Sequence, residues 1–266
     1  MKNNNFPIGV FDSGVGGLTV LNQLCLALPN EQFVYFGDTA HVPYGNKSQE
    51  TIEKYCVNIV KFLKKQKVKL IIVACNTASA IALSKLQKIT KIPILNVIDP
   101  CVKVAIETTK NNYIGVVGTK NTISSMSYVK KIKKMNNEII VYSKECPLFV
   151  PIIEEDLSDH NIANLTVQLY LNEIPKQIDT LILGCTHYPL IKGTIQKNIS
   201  SRIKVLDSSI IVADHIKKYL NNFSMNSSAV LKEKNKFYIS DDINKFEQAI
   251  VNIMEPHDYT IEKVEI

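Results

Sequence analysis

Two apolar runs of strand character, each broken off at a cysteine, constrain this chain more than any other feature. Leu70-Ile71-Ile72-Val73-Ala74 stops at Cys75-Asn76-Thr77, and Leu181-Ile182-Leu183-Gly184 stops at Cys185-Thr186-His187. Short continuous apolar runs of this kind suit strands buried on both faces, as in parallel sheets covered by helices. The residues after each cysteine read as the start of a helix. A cysteine between a strand end and a helix N-terminus lies where backbone N–H groups and the helix dipole favour the thiolate. Two of them at matching points predict a pair of thiols that work together.

The rest of the chain repeats this alternation. Strands are predicted at 8–11, 33–36, 69–74 and 94–97. A helix over 18–28 carries Leu21, Leu24, Cys25 and Leu28 on one stripe, and a helix over 49–66 carries Ile52, Tyr55, Cys56, Ile59 and Leu63. The helix after Cys75 turns Ala78, Ile81, Ala82 and Leu86 inward. Strands alternating with helices of this length predict an α/β protein with a mostly parallel sheet. At Asp99-Pro100, a helix start with Pro in its first turn, the pattern begins again. Ile114-Gly115-Val116-Val117-Gly118-Thr119 echoes Ile8-Gly9-Val10-Phe11-Asp12-Ser13, and Cys185 follows the second run at nearly the interval that separates Cys75 from the first. The expected architecture is two similar lobes, each a mostly parallel sheet flanked by helices, with the active site in the cleft between them. A helix at 209–219, a polar loop, a strand at 237–239 and a helix over 242–254 make up the tail, whose strand and helix are assigned to the first lobe. Lobe one is then discontinuous, 1–97 plus 208–266, and lobe two is 98–207.

With 266 residues, 45% of them hydrophobic, the chain can bury a full core. No apolar run reaches membrane-spanning length. Met1-Lys2-Asn3-Asn4-Asn5 leads into the first strand without the apolar core of a signal peptide, so a cytoplasmic protein is expected. Six cysteines without a CxxC fit reduced thiols. The net charge of +6 comes from scattered lysines, densest at 61–69 and 130–134, and no aromatic residues interleave with a basic stripe. Solvated helix faces explain these lysines, and no nucleic-acid partner is expected.

In open parallel sheets, ligand sites lie outside the carboxyl ends of the strands. Asp12-Ser13, Tyr44-Gly45, Cys75-Asn76-Thr77, Thr119 and Cys185-Thr186-His187 all follow predicted strands. The turn Gly14-Val15-Gly16-Gly17 is not a dinucleotide fingerprint, because Thr19 stands at the third glycine position and Asp12 sets a negative charge beside any pyrophosphate. Its N–H groups suit a carboxylate ligand better. Asp12 also reads as a helix N-cap. Cys25, Cys56 and Cys101 fall on core stripes, and Cys146 before Pro147 stays open. A zinc site built from Cys75, Cys185 and His187, or a thiol redox pair, remain alternative readings.

Two thiols on opposite walls of one pocket have a chemical use. A base on one face of an α-carbon removes the proton, and an acid on the other face returns one, which inverts the centre. Each thiol must then alternate between thiolate and thiol, and Asp12 and His187 are placed to tune them, one apiece. The chain shows no cofactor motif, so placed donors and exclusion of water must stabilise the carbanion.

At these residues the chain resembles the cofactor-independent aspartate/glutamate racemase superfamily, and within it the glutamate racemases. The segments that carry the resemblance are GVFDSGVGGLTV (9–20), YFGDTAHVPYG (35–45), VACNTASA (73–80), CPLFVPIIEE (146–155) and LGCTHYPL (183–190). The resemblance implies a two-lobed α/β isomerase that interconverts L- and D-glutamate, the D-isomer serving bacterial peptidoglycan. It implies no cofactor and no metal, with glutamate as the partner; homodimers are common in the family. The family's paired cysteines fall on Cys75 and Cys185, and its assisting carboxylate and histidine on Asp12 and His187. Its substrate contacts fall on Asp12, Ser13, Tyr44, Gly45, Asn76, Thr77, Thr119, Thr186 and His187. The sibling aspartate racemases share the first cysteine segment, whereas His187-Tyr188-Pro189 after the second favours glutamate.

Overall fold

The computed structural model describes residues 4–228, 234–256 and 258–266. The first stretch of elements is β1 (Ile8–Asp12), α1 (Leu18–Ala27), β2 (Phe33–Gly37), α2 (Gln49–Lys65), β3 (Leu70–Val73), α3 (Asn76–Ile81), α4 (Leu83–Ile89), β4 (Ile94–Asn96) and α5 (Ile98–Thr108). Then come β5 (Tyr113–Gly118), α6 (Lys120–Ser124), α7 (Ser127–Met135), β6 (Ile140–Glu145), α8 (Phe149–Glu154), α9 (Asn161–Leu171), β7 (Thr180–Gly184), α10 (Lys192–Asn198) and β8 (Lys204–Leu206). The tail adds α11 (Ser208–Asn222), β9 (Asn235–Ile239), α12 (Ile243–Ile253) and β10 (Tyr259–Lys263). Part of the expected polar loop of the tail, 229–233, lies outside the described residues.

The strands form two sheets, ordered β10-β9-β2-β1-β3-β4 and β6-β5-β7-β8. Every neighbouring pair is parallel. The order β2-β1-β3-β4 is repeated by β6-β5-β7-β8, so the echo between the two sequence runs is matched strand for strand. In both sheets the chain begins at an inner strand, adds one neighbour and crosses over to add the other. That leaves a topological switch point between β1 and β3, and another between β5 and β7. β1 ends at Asp12 and β3 runs into Cys75, while β5 runs into Thr119 and β7 into Cys185. Each cysteine therefore stands at the crevice where its sheet changes direction.

Alternation along the strands sorts the core. Ile8, Val10, Leu70 and Ile72 of the first sheet share one apolar cluster with Ile114, Val116 and Ile182 of the second. Helices α1, α5 and α11 fill the space between, α11 packing on both of the others. The outer faces form separate clusters, around Phe11, Ile71 and Val73 in the first sheet and Val117, Leu181 and Leu183 in the second. The two sheets are thus joined by a common core and part only at their carboxyl ends. Among the described residues no helix is long and apolar enough to cross a membrane.

Several local expectations change. The single helix after Cys75 is two short ones meeting at Ala82, whose carbonyl accepts from both Lys85 and Leu86 N–H. Cys185 is followed by a 3-10 turn over Tyr188–Ile191 before α10 begins. The N-cap position of α1 is held by Gly17, not Asp12. β10 was not foreseen; it lies at the sheet edge, half-exposed and carrying Glu262 and Lys263, so no apolar run marks it.

Candidate active site

Cys75 is the N-cap residue of α3, and its Sγ accepts the Ala78 N–H at 3.4 Å. It also lies 3.6 Å from Ser13 Oγ, a hydroxyl that can donate to the sulfur once it is ionised. These contacts favour the thiolate, as the sequence leads one to expect, but they are outweighed. Burial comes first and the nearby Asp12 carboxylate second, and together they push the Cys75 thiol up to about 12. Asp12 itself is wholly buried and accepts from Gly14 N–H at 2.9 Å. Burial raises its carboxyl above the usual range, and His187 together with the Gly14 and Gly17 N–H groups offsets only part of that.

Cys185 has a different neighbour. Its Sγ lies 3.8 Å from His187 Nδ1, and His187 Nε2 lies 3.0 Å from Glu154 Oε1 at the end of α8. Burial alone drives an imidazole toward neutrality, but the Cys185 sulfur and the Glu154 carboxylate reverse this and hold His187 up to about 10. At neutral pH the ring is then an imidazolium that donates to both partners. Burial opposes ionisation of Glu154 too, yet His187, helped by Lys245, keeps its carboxyl below the usual value. Gly16 makes the ring's position possible: a Cβ there would sit 2.4 Å from His187 Cε1 and Nδ1. The glycine turn, expected to offer N–H groups to a ligand, instead spends Gly14 N–H on Asp12 and gives its space to the imidazole.

Both sulfurs line a cavity of about 250 Å³ at the carboxyl ends of the sheets. Ser13, Tyr44, Gly45, Asn76, Thr77 and Thr119 share its wall with Thr186 and His187. Of the expected site residues only Asp12 is absent from the wall; it lies behind, where Thr186 Oγ1 approaches its Oδ1 at 3.4 Å. Asn76 is fixed by Tyr128, whose hydroxyl donates to its Oδ1 at 2.7 Å. Its Nδ2 is buried with no hydrogen-bond partner among the described residues. A buried donor left open in this way calls for an acceptor from a ligand. Thr77, Thr119 and Thr122 form a hydroxyl cluster at 2.9 to 3.3 Å across the cleft. Behind the cavity, Thr19 Oγ1 in the first turn of α1 donates to the Thr186 carbonyl at 2.8 Å and ties that helix to the loop after β7.

The sequence comparisons agree with this geometry. A profile of the family described as Asp/Glu/Hydantoin racemase matches residues 12–216. The chain belongs to that family. Among its relatives, a glutamate racemase of Persephonella marina is 46% identical over 97% of both chains. The crystal structure of the Francisella tularensis glutamate racemase in complex with D-glutamate superposes with a TM-score of 0.91 at 40% identity, covering 98% of each chain. A glutamate racemase isoform of Bacillus anthracis superposes with a TM-score of 0.93 at 33% identity over 99% of each. The likeness extends through the tail, which the sequence motifs leave almost unmarked.

Other features of this site are not singled out by the sequence. Glu154 lies inside the segment CPLFVPIIEE, and two carboxylates ending an apolar stretch were the available signal. Tyr128 reaches the site from a helix whose sequence carries no strand-end mark, and Asn121 stands three residues past β5, just beyond the Thr119 that was singled out. The zinc alternative loses its ligand set, because among the described residues no group of three or more His, Cys, Asp or Glu is arranged to hold a metal ion. Cys146, left open by the sequence, is buried in the outer core of the second sheet with Phe149 and Tyr188.

Proposed function

We propose that this chain is a glutamate racemase, an isomerase that interconverts L- and D-glutamate with Cys75 and Cys185 as the two acid/base groups. The observation that carries the reading is a pair of buried sulfurs on one small cavity, Cys75 close to the Asp12 carboxylate and Cys185 beside the His187 ring. We assign the base to Cys185, whose Sγ lies 3.8 Å from His187 Nδ1. Burial and Asp12 keep Cys75 as thiol, the acid. Cys185 takes the α-proton of glutamate, and the electron pair stays on the α-carbon and its carboxylate. Cys75 delivers its own proton to the opposite face. One C–H bond breaks, another forms, and the enzyme is left with Cys185 as thiol and Cys75 as thiolate, ready for the reverse turnover or for proton exchange with water.

Asn76 Nδ2 and the hydroxyls of Ser13, Thr77, Thr119 and Thr186 supply donors for the two carboxylates, with Tyr44 and Gly45 closing one wall. Such donors, fixed before substrate arrives, stabilise the developing negative charge without reorganising. The reading calls for no cofactor. We assign the product D-glutamate to bacterial peptidoglycan, and take 1–97 plus 208–266 and 98–207 as the two lobes.

Purified protein treated with chelator is expected to convert L-glutamate to the racemate and to introduce α-deuterium in D₂O, with aspartate run alongside. Racemisation of aspartate alone would transfer the chain to the aspartate-type enzymes. No exchange with either amino acid would end the racemase reading.

A further inference from the structure

The turn that carries Tyr44 and Gly45 belongs to the first sheet's side of the cleft, yet its backbone is held from the other side. Asn121, in the first turn of α6, donates from Nδ2 to the Tyr44 carbonyl at 2.9 Å and to the Lys47 carbonyl at 2.8 Å. Both partners are acceptors only, so the amide group must face them with its two N–H bonds. Lys47 N–H closes the same turn onto the Tyr44 carbonyl at 3.2 Å. One side chain of the second lobe therefore spans both ends of a 3-10 turn of the first.

The remaining contacts of this turn fall into two groups. Within its own lobe, the Tyr44 hydroxyl donates to the buried Asp38 carboxylate at 2.6 Å, which also accepts from Ser240 Oγ at 2.9 Å. Across the cleft, Gly45 approaches Thr119 so closely that an added Cβ would meet Thr119 Cβ at 3.2 Å. The ring end of Tyr44 is thus anchored in lobe one, while the turn's backbone is pinned to lobe two beside Thr119 and the hydroxyl cluster. Breaking the two Asn121 bonds frees the turn from lobe two without disturbing the Asp38 anchor.

We propose that Asn121 is a positioning residue that latches the cleft shut over the substrate. It touches no reacting atom and acts through Tyr44 and Gly45. The proposal rests on the racemase reading of the same cavity. A latch of this kind shifts the balance between open and closed cleft. The apparent affinity then falls in proportion to the closed fraction, while turnover of the closed complex is unchanged. Two neutral hydrogen bonds of ordinary strength correspond to a roughly tenfold change in such an equilibrium.

The test is steady-state racemisation of glutamate by full-length wild type, Asn121→Ala, Asn121→Asp and Asn121→Gln. Asn121→Ala is expected to raise KM by about two- to tenfold, depending on how far the wild-type cleft is already closed, with kcat changed less than about twofold, equally for both enantiomers. Asn121→Asp, which turns a carboxylate toward two carbonyls, is expected to raise it further, and Asn121→Gln to recover part of the loss. Hydrogen exchange across residues 44–47 should quicken in Asn121→Ala while the melting temperature stays near wild type. Unchanged KM and exchange in Asn121→Ala overturn the latch, as does a fall in kcat at constant KM. A wild type without racemase activity overturns the underlying reading instead, and the exchange experiment still decides whether Asn121 pins the turn.

Discussion

The corners that hold Cys75 and Cys185 are built on the same plan and charged in opposite ways. Each cysteine follows an inner strand at the switch point of a parallel sheet, and each is 5% exposed. At Cys75 the nearest ionised group is a buried carboxylate, which adds to desolvation and keeps the proton on sulfur. At Cys185 it is an imidazolium, itself secured by Glu154 on its far side. The fold thus gives both cysteines the same position, and what differs between them is the charge that stands beside each. The helix N-terminus, which from sequence alone favours a thiolate at Cys75, is the weaker influence there. Helix α3 has only six residues, and a carboxylate in the same buried space outweighs one N–H contact.

The bluntest way to break the comparison is to remove either sulfur. Cys75→Ala and Cys185→Ala are each expected to lower kcat for glutamate by about 10³-fold or more, in line with the loss of a general acid or base. Racemisation that survives in either variant would show that one base serves both faces. Exchange without inversion deserves separate measurement: α-deuterium incorporated from D₂O into one enantiomer, with no loss of optical rotation, would mark the surviving sulfur's own half-reaction.

A finer test sets Asp12→Asn against His187→Asn. His187→Asn, which withdraws the cation beside Cys185, is expected to lower kcat about 10- to 100-fold, whereas Asp12→Asn lifts the carboxylate that opposes Cys75 ionisation and is expected to cost less, through a thiolate that is a weaker base. Enantiomers have equal free energies, so the equilibrium constant is one, and kcat/KM must fall equally in both directions whatever is mutated. The asymmetry shows instead in the isotope effect on α-deuterated substrate. His187→Asn should enlarge it for the enantiomer whose proton goes to Cys185, and Asp12→Asn for the other. The same enantiomer responding to both variants would refute two separate proton-transfer units.

The inner strands, the duplicated plan and the two sulfurs were legible because each writes a local pattern: a continuous apolar run, then an abrupt polar turn. The edge strands β6, β8 and β10 were not, since an edge exposed to water needs no such run. The same distinction holds in the site. Asp12 ends its strand, Asn76, Thr119 and His187 sit one to three residues beyond theirs, and all announce themselves. Glu154 and Tyr128 arrive from helices farther from any strand end, and Asn121, though three residues past β5, has partners in the other lobe that only the packing of two sheets on a common core reveals. Gly16 shows the limit in another way. Its turn reads as a set of N–H donors, whereas its function is to leave room for a ring more than 150 residues away.

Glu154→Gln makes the smallest expected change and isolates charge from shape. The glutamine carbonyl can still accept from His187 Nε2, so the ring keeps its orientation and loses only the negative charge behind it. His187 is held up to about 10 by Cys185 and Glu154 against the downward pull of burial. Its cationic form is present below that value and lost as pH rises through it. Without the carboxylate the folded pKa drops toward the ordinary imidazole range, so the cation is lost at lower pH. The alkaline limb of the kcat profile that reports His187 should therefore move to lower pH, with a loss of only about two- to tenfold at pH 7. A limb that stays in place in Glu154→Gln but moves in His187→Asn would show that Cys185 alone holds the ring charged, and that Glu154 only orients it.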